Sequence, residues 1–198
     1  MNICWLLRVA FLASTFLLRC YAQDAIQWTT NFYSIAGVTL AEMNQSIEQA
    51  RSWKDKSTAH AQTEWRINWR FDVEGSSSGC RVKEFTTKTA ITMTMPRWTT
   101  SAKASQEVKD AWVRYYKALQ EHEIGHCRIA LAASAELKKR INALPAESEC
   151  KVLRQNIEDV CERVMDEFKK RDKEYDERTK HGETQGARLP ALLPRRSG

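Results

Sequence analysis

Apolar and polar side chains alternate strictly along residues 63–73, in the first half of the chain. Because successive side chains of a β-strand point to opposite faces, this alternation predicts a strand with one buried and one exposed face. A Gly- and Ser-rich turn at 75–79 and a second alternating run at 81–95 follow, and Pro96 should end that run. The face predicted to be buried carries Trp65, Ile67, Trp69, Phe71 and Val73.

Two further elements are predicted before this pair of strands. Residues 28–35 are rich in Thr, Phe and Tyr, which favours another strand. Thr39 precedes Glu42 by three residues, which matches a capping box at the start of a short helix over 40–51.

The second half of the chain has apolar residues at intervals of three and four, which predicts two long helices. The first should be capped by Ser105 and end near Leu144, and the second should be capped by Ser148 and reach about Asp176. Strands followed by helices are typical of an α+β domain. We therefore predict a small antiparallel sheet with a short helix, followed by two long helices that pack against each other.

The two ends of the chain are predicted to lie outside this domain. Residues 1–22 contain an apolar run of about ten residues, too short to span a bilayer, and end on a small residue, as secretory signal peptides do. An uncleaved membrane anchor is the alternative. We expect a mature domain over 23–182, periplasmic or secreted and without stable membrane insertion after cleavage, and a disordered tail over 183–198.

Cysteine content and charge bear on the disulfides and on the class of partner that the sequence predicts. Cleavage would remove Cys4 and Cys20, and an even number of remaining cysteines in an exported chain favours two disulfides, in any of three pairings. The formal net charge of +6 is spread along the chain and is not interleaved with aromatic residues, so a nucleic-acid partner is not expected. The four remaining cysteines are Cys80, Cys127, Cys150 and Cys161.

The candidate chemistry lies in the middle of the first long helix, in the sequence HEIGH at residues 122–126. His122 and His126 are four residues apart, so both imidazoles stand on one helix face and can share a zinc ion. Glu123 then lies beside the metal, where it can act as general base towards a zinc-activated water in peptide hydrolysis. Gly125 is costly in a helix interior by about 1 kcal/mol, which suggests that another segment approaches it closely.

The sequence patterns alone do not decide which residue supplies the third protein ligand. The metzincin pattern is excluded, because Ile129 and Ala132 stand where its Gly and His would be. His60 is expected to be a surface residue. His181 follows the second helix, and a straight helix of that length would carry it past the metal. The acidic candidates are Glu147, Glu149 and Glu158.

Two motifs together resemble those of a bacterial family of predicted secreted zinc-dependent proteases, known as domain of unknown function 922. That family carries an H-E-x-G-H helix and a C-terminal Y-D-x-x-T-x-H-G segment, and the chain is similar to it from Trp28 to Gly182. The matching residues are His122, Glu123, Gly125 and His126, then Tyr175, Asp176, Thr179, His181 and Gly182. YSIAG at 33–37 and PRW at 96–98 also look like the family.

This resemblance implies a zincin-like fold, a Zn²⁺ cofactor and peptide or protein substrates. It favours His181 as the third zinc ligand, Asp176 as its hydrogen-bonding partner or an alternate ligand, and Tyr175 as a donor to the developing oxyanion. The function expected is therefore that of an exported zinc metallopeptidase. The alternative is a non-catalytic metal-binding or protein-interaction module of the cell envelope.

Overall fold

A computed structural model describes residues 24–52 and 59–190, so the predicted signal peptide lies outside the described residues. The fold is α+β, with a three-stranded sheet and two long helices. Its elements are β1 (Ala25–Ile35), α1 (Leu40–Ala50), β2 (Gln62–Ser76), β3 (Gly79–Trp98), a 3₁₀ helix (Ser101–Lys103), α2 (Gln106–Asn142), α3 (Cys150–Thr179) and a second 3₁₀ helix (Glu183–Gln185).

The sheet is mixed, with strand order β1-β3-β2. The predicted antiparallel pairing of β2 with β3 is confirmed, but β1 pairs with β3 in parallel, so the prediction of a wholly antiparallel sheet is wrong. The end of β1 and the start of β2 both lie near the end of β3, through the pairs Ile35–Trp98 and Gln62–Thr94. Because β2 starts where β1 finishes and runs back, β3 takes the direction of β1.

Pro96 does not end β3, which continues to Trp98. The pairing with β2 stops at Thr94, and Pro96 is paired with Tyr33 of β1. Beyond Thr94, no strand among the described residues lies on that side of β3, and a residue without an N–H is tolerated at such an edge.

Local sequence signals account for the starts of α1 and α2. The Thr39 hydroxyl accepts from the Glu42 N–H, and the Glu42 carboxylate accepts from the Thr39 N–H, which confirms the capping box. The Ser105 hydroxyl accepts from the Val108 N–H at 3.4 Å, as predicted for α2.

The start of α3 is determined by the sheet and not by the predicted Ser148 cap. Its N-cap residue is Glu149, which makes no side-chain capping bond. Instead, the backbones of Glu147 and Cys80 exchange two hydrogen bonds of 2.7 and 2.9 Å, and Cys80 forms a disulfide with Cys150. The connection between α2 and α3 is thereby held against the turn between β2 and β3.

This connection resolves the overshoot expected from the helix lengths. His126 lies 16 residues before the end of α2, whereas Asp172, which it contacts, lies 22 residues after the start of α3. The difference of six residues places the first ~9 Å of α3 beyond the end of α2. The helices therefore need no bend for the end of α3 to reach the HEIGH segment.

The region predicted as a disordered tail over 183–198 begins with ordered structure. Residues 183–185 form a 3₁₀ helix, and Ala187 and Leu189 are buried in the core, so this prediction is wrong for residues 183–190; residues 191–198 lie outside the described residues. Gly182 and Gly186 both have positive φ, at 82° and 92°. Both glycines serve as turn residues that fold this segment back onto α2.

Only one of the two expected disulfides is present among the described residues. Cys80 pairs with Cys150, while Cys127 and Cys161 are buried free thiols in the core. Neither α2, α3 nor any shorter helix in the described ranges has an apolar stretch sufficient to cross a membrane.

Alkylation of the denatured, unreduced protein should distinguish this arrangement from two disulfides. We expect iodoacetamide to modify Cys127 and Cys161 and to leave Cys80 and Cys150 unmodified until a reductant is added, as read by peptide mass spectrometry. Protection of Cys127 or Cys161 before reduction would contradict the pairing.

Candidate metal centre

Two imidazoles on one face of α2 form the centre of the site. The helix face around them is apolar, and these two polar side chains are nevertheless buried in it: His122 is 2% exposed and His126 is 5% exposed. Their Nε2 atoms lie 3.3 Å apart. The four-residue spacing predicted from the sequence therefore brings the two nitrogens together in the interior.

The third member of the group comes from α3. The Oδ1 atom of Asp176 lies 3.1 Å from Nε2 of His122 and 3.1 Å from Nε2 of His126. These three residues form a group that could hold a metal ion. A tetrahedral zinc ion with ligand bonds of about 2.0–2.1 Å sets its ligand atoms about 3.3 Å apart. The three observed distances match one face of such a tetrahedron.

The other nitrogen of each imidazole has an acceptor of its own. Nδ1 of His126 lies 2.7 Å from Oδ1 of Asp172, and Nδ1 of His122 lies 2.9 Å from Oε1 of Gln185. An ionised carboxylate only accepts hydrogen bonds, so it favours the tautomer with its proton on Nδ1. This is the arrangement in which metal-binding histidines are usually found, with Nε2 free to coordinate.

Glu123 lies on the same helix and is 2% exposed. The Thr63 hydroxyl at the start of β2 donates a hydrogen bond of 2.7 Å to its carboxylate. Burial raises the pKa of Glu123, although the Thr63 hydrogen bond and the neighbouring imidazoles act in the opposite direction. A buried carboxylate of raised pKa beside a metal-ligand group is suited to accepting and releasing a proton.

The electrostatics of the group favour a bound cation. Burial disfavours a charge on Asp176, but hydrogen bonds from His122 and His126 hold the pKa of its carboxyl well below the ordinary value. Burial likewise lowers the pKa of His126, and the hydrogen bonds to Asp172 and Asp176 outweigh it and raise that pKa to about 10. Without a metal, the ionised carboxylate of Asp176 is thus balanced by the protonated imidazole of His126, whose proton a metal ion would displace on binding.

His181 lies beside the metal-ligand group but is not part of it. Its Nδ1 atom is 3.4 Å from Oδ1 of Asp176, and its side chain is 34% exposed. The structure therefore places the two residues of the YDERTKHG segment in the reverse order to the one expected, with Asp176 against the paired imidazoles and His181 behind it.

The remaining candidate ligands lie in other parts of the fold. The carboxylate of Glu147 accepts from Asn156, and that of Glu158 accepts from the Trp69 indole, while Glu149 precedes α3. His60 is not the surface residue expected, because its Nδ1 lies 2.9 Å from the Tyr115 hydroxyl and burial lowers its pKa.

Tyr175 packs against the backbone of α2. Its hydroxyl donates to the His122 carbonyl at 3.2 Å, and its ring stacks on the His122 ring with centroids 5.0 Å apart. A Cβ atom on Gly125 would lie 2.2 Å from the Tyr175 hydroxyl oxygen, so the expected close approach at Gly125 is present. Tyr175 is absent from the lining of the cavity that contains the group, and its expected oxyanion role stays a prediction.

Three residues of the site were not singled out in the sequence: Thr63, Asp172 and Gln185. Asp172 carried a usable signal, since Asp172 and Asp176 repeat the four-residue spacing of the two histidines on a helix expected to run antiparallel. Gln185 carried none, because it stands in the segment whose composition suggested disorder.

The profile of a bacterial protein family of unknown function, DUF922, matches residues 30–182. The matched region includes the whole metal-ligand group and Glu123, and it ends just after α3. No curated protein and no solved structure matches the chain.

Substitution of Gly125 should reveal its contact with Tyr175. Alanine is favoured over glycine in a helix interior by about 1 kcal/mol. We nevertheless expect Gly125→Ala to lower the free energy of unfolding by about 1–3 kcal/mol, because the new methyl group overlaps the tyrosine. In a Tyr175→Ala background the same change should be neutral or stabilising. Denaturant unfolding of the metal-free wild type, the two single variants and the double variant would measure both effects. Equal effects in both backgrounds would contradict the contact.

Proposed function

The chain belongs to the bacterial family of unknown function DUF922, and we propose that it is an exported zinc-dependent peptidase with His122, His126 and Asp176 as metal ligands. The observation that carries the proposal is the convergence of two Nε2 atoms and one carboxylate oxygen, 3.1–3.3 Å apart, beside a buried glutamate. Two histidines and one carboxylate form a known ligand set of catalytic zinc.

The ligand assignment differs from the expectation based on the family motif. Asp176 takes the third position that was expected for His181, and His181 becomes its neighbour. Each ligand then has an outer partner: Gln185 for His122, Asp172 for His126 and His181 for Asp176. Such partners orient the ligands and raise metal affinity.

A bound zinc ion would acidify water and polarise a peptide carbonyl. Glu123 would accept the proton of the attacking water and pass it to the departing amine, which requires a carboxylate whose pKa is raised towards neutrality. The Thr63 hydroxyl would hold the carboxylate in place for this transfer. Asp172 would keep the His126 proton on Nδ1 and so leave Nε2 for the metal.

We propose an envelope role for such an activity. The disulfide between Cys80 and Cys150 is compatible with an oxidising compartment. We therefore place the proposed peptidase in the periplasm or outside the cell.

The ligand assignment is tested by comparing Asp176→Ala with His181→Ala. Loss of an outer partner typically costs about 10- to 100-fold in metal affinity, so this range is expected for His181→Ala. Asp176→Ala should cost more, because it removes a ligand atom. Zinc competition against a chromophoric chelator measures both, and a larger loss for His181→Ala would reverse the assignment.

Hydrolysis is tested with Glu123→Gln in the zinc-loaded protein. We expect cleavage of a broad peptide library to fall by at least about 100-fold, because general-base catalysis is lost, while zinc stays near one per chain by elemental analysis. Glu121→Gln is the matched control, since Glu121 is an exposed glutamate on the same helix and should retain activity.

Two outcomes of this comparison would contradict the proposal. Cleavage by Glu123→Gln at the wild-type rate would exclude the mechanism. A folded wild-type protein that binds zinc and cleaves no peptide would favour the non-catalytic metal-binding alternative.

A further inference from the structure

The metal-ligand group lies within a line of adjoining cavities. A central cavity of about 240 Å³ contains His122, His126 and Asp176. A second cavity of about 220 Å³, the α1-side cavity, shares His181 with it, and a third of about 450 Å³, the β2-side cavity, shares Thr63 and Asp172.

The order of these cavities follows from the residues that α3 and its C-terminal end contribute. Lys169 lines the β2-side cavity, Asp172 and Asp176 line the central one, and Lys180 lines the α1-side cavity. Because these residues succeed one another along the helix axis, the central cavity lies between the other two. The metal-ligand group is thus flanked on both sides.

The line continues beyond the β2-side cavity. A fourth cavity of about 460 Å³ shares Trp65 and Lys169 with it and reaches Glu162 on α3. Glu162 and Lys180 are 18 residues apart, which corresponds to about 27 Å along the helix. An extended peptide rises about 3.3 Å per residue, so this length accommodates about eight residues.

The charges of the α1-side cavity argue against a pocket dedicated to a chain terminus. Lys180 and Arg188 line it, but so do Glu48 and Glu183. The Arg188 guanidinium is paired with Glu183, and Glu48 accepts from Arg51. A pocket that captures a terminal carboxylate close to the metal would need an excess of positive charge, whereas these charges are balanced.

We propose that the four cavities form one cleft that binds an extended peptide through its middle, so that the protein cleaves internal peptide bonds and requires no free chain terminus. This inference rests on the proposed peptidase function and specifies its substrate class: unfolded or extended protein segments with residues on both sides of the cleaved bond.

The test uses the zinc-loaded mature protein and two libraries of random peptides about ten residues long, about 33 Å when extended. One library has acetylated N-termini and amidated C-termini, and the other has free termini. We expect both to be cleaved at internal bonds with rates within a few-fold of each other, as read by mass spectrometry.

The outcomes separate this inference from the function on which it rests. Cleavage of the free library alone, or release of single terminal residues, would overturn the cleft proposal and leave the peptidase function standing. If neither library is cleaved, the peptidase function is overturned and the cleft proposal with it.

Obstruction of each flank provides a second, independent test. Asn44→Trp in the α1-side cavity and Thr92→Trp in the β2-side cavity should each raise KM for a blocked peptide by about tenfold, without changing zinc affinity. Val113→Trp is the matched control, because Val113 is 64% exposed and lies in a cavity that shares no residue with the cleft. An effect of only one flank variant, or equal effects of all three, would contradict binding on both sides.

Discussion

The contact between four polar side chains in the interface of α2 and α3 determines the arrangement of the site. His122 and His126 lie four residues apart on α2, and Asp172 and Asp176 lie four residues apart on α3. Because the helices are antiparallel, His126 meets Asp172 at 2.7 Å and His122 meets Asp176 at 3.1 Å. A shift of α3 by one residue would leave the two buried imidazoles without these partners, at about 1–3 kcal/mol for each. The interface therefore admits one register.

The rest of the fold supports that register from three directions. The disulfide to Cys80 attaches the start of α3 to the sheet, and Gln185 beyond its end contacts His122. The inner face of β2 contributes the Trp65 indole, which donates to the second oxygen of Asp172 at 3.0 Å. The disulfide, Gln185 and Trp65 thus each hold another segment against one of the four residues or against the start of α3.

The parts of the fold that sequence predicts well depend on neighbouring residues. The alternation in β2, the capping box at Thr39 and the histidine spacing on α2 are all local, and the structure reproduces them. The direction of β1, the start of α3 and the position of Asp176 against the two imidazoles depend on contacts between distant segments. The straight-helix estimate failed for the same reason, since it could not include the extended connection held by Cys80.

The two aspartates have the same side chain but face different nitrogens, and this difference separates their roles. Asp176 faces both Nε2 atoms, the position from which a carboxylate can share a cation with the imidazoles. Asp172 faces Nδ1, the position from which it can only hold a proton. Both lie on the face of α3 that also lines the cleft, from Lys169 to Lys180. The same 30-residue helix therefore supplies Asp176 to the metal-ligand group and, under the cleft proposal, the wall along which a peptide would extend on both sides of it. In this arrangement the position of a bound peptide relative to the metal follows from the register of α3 on α2, so the histidine–aspartate contacts would govern substrate alignment as well as metal binding.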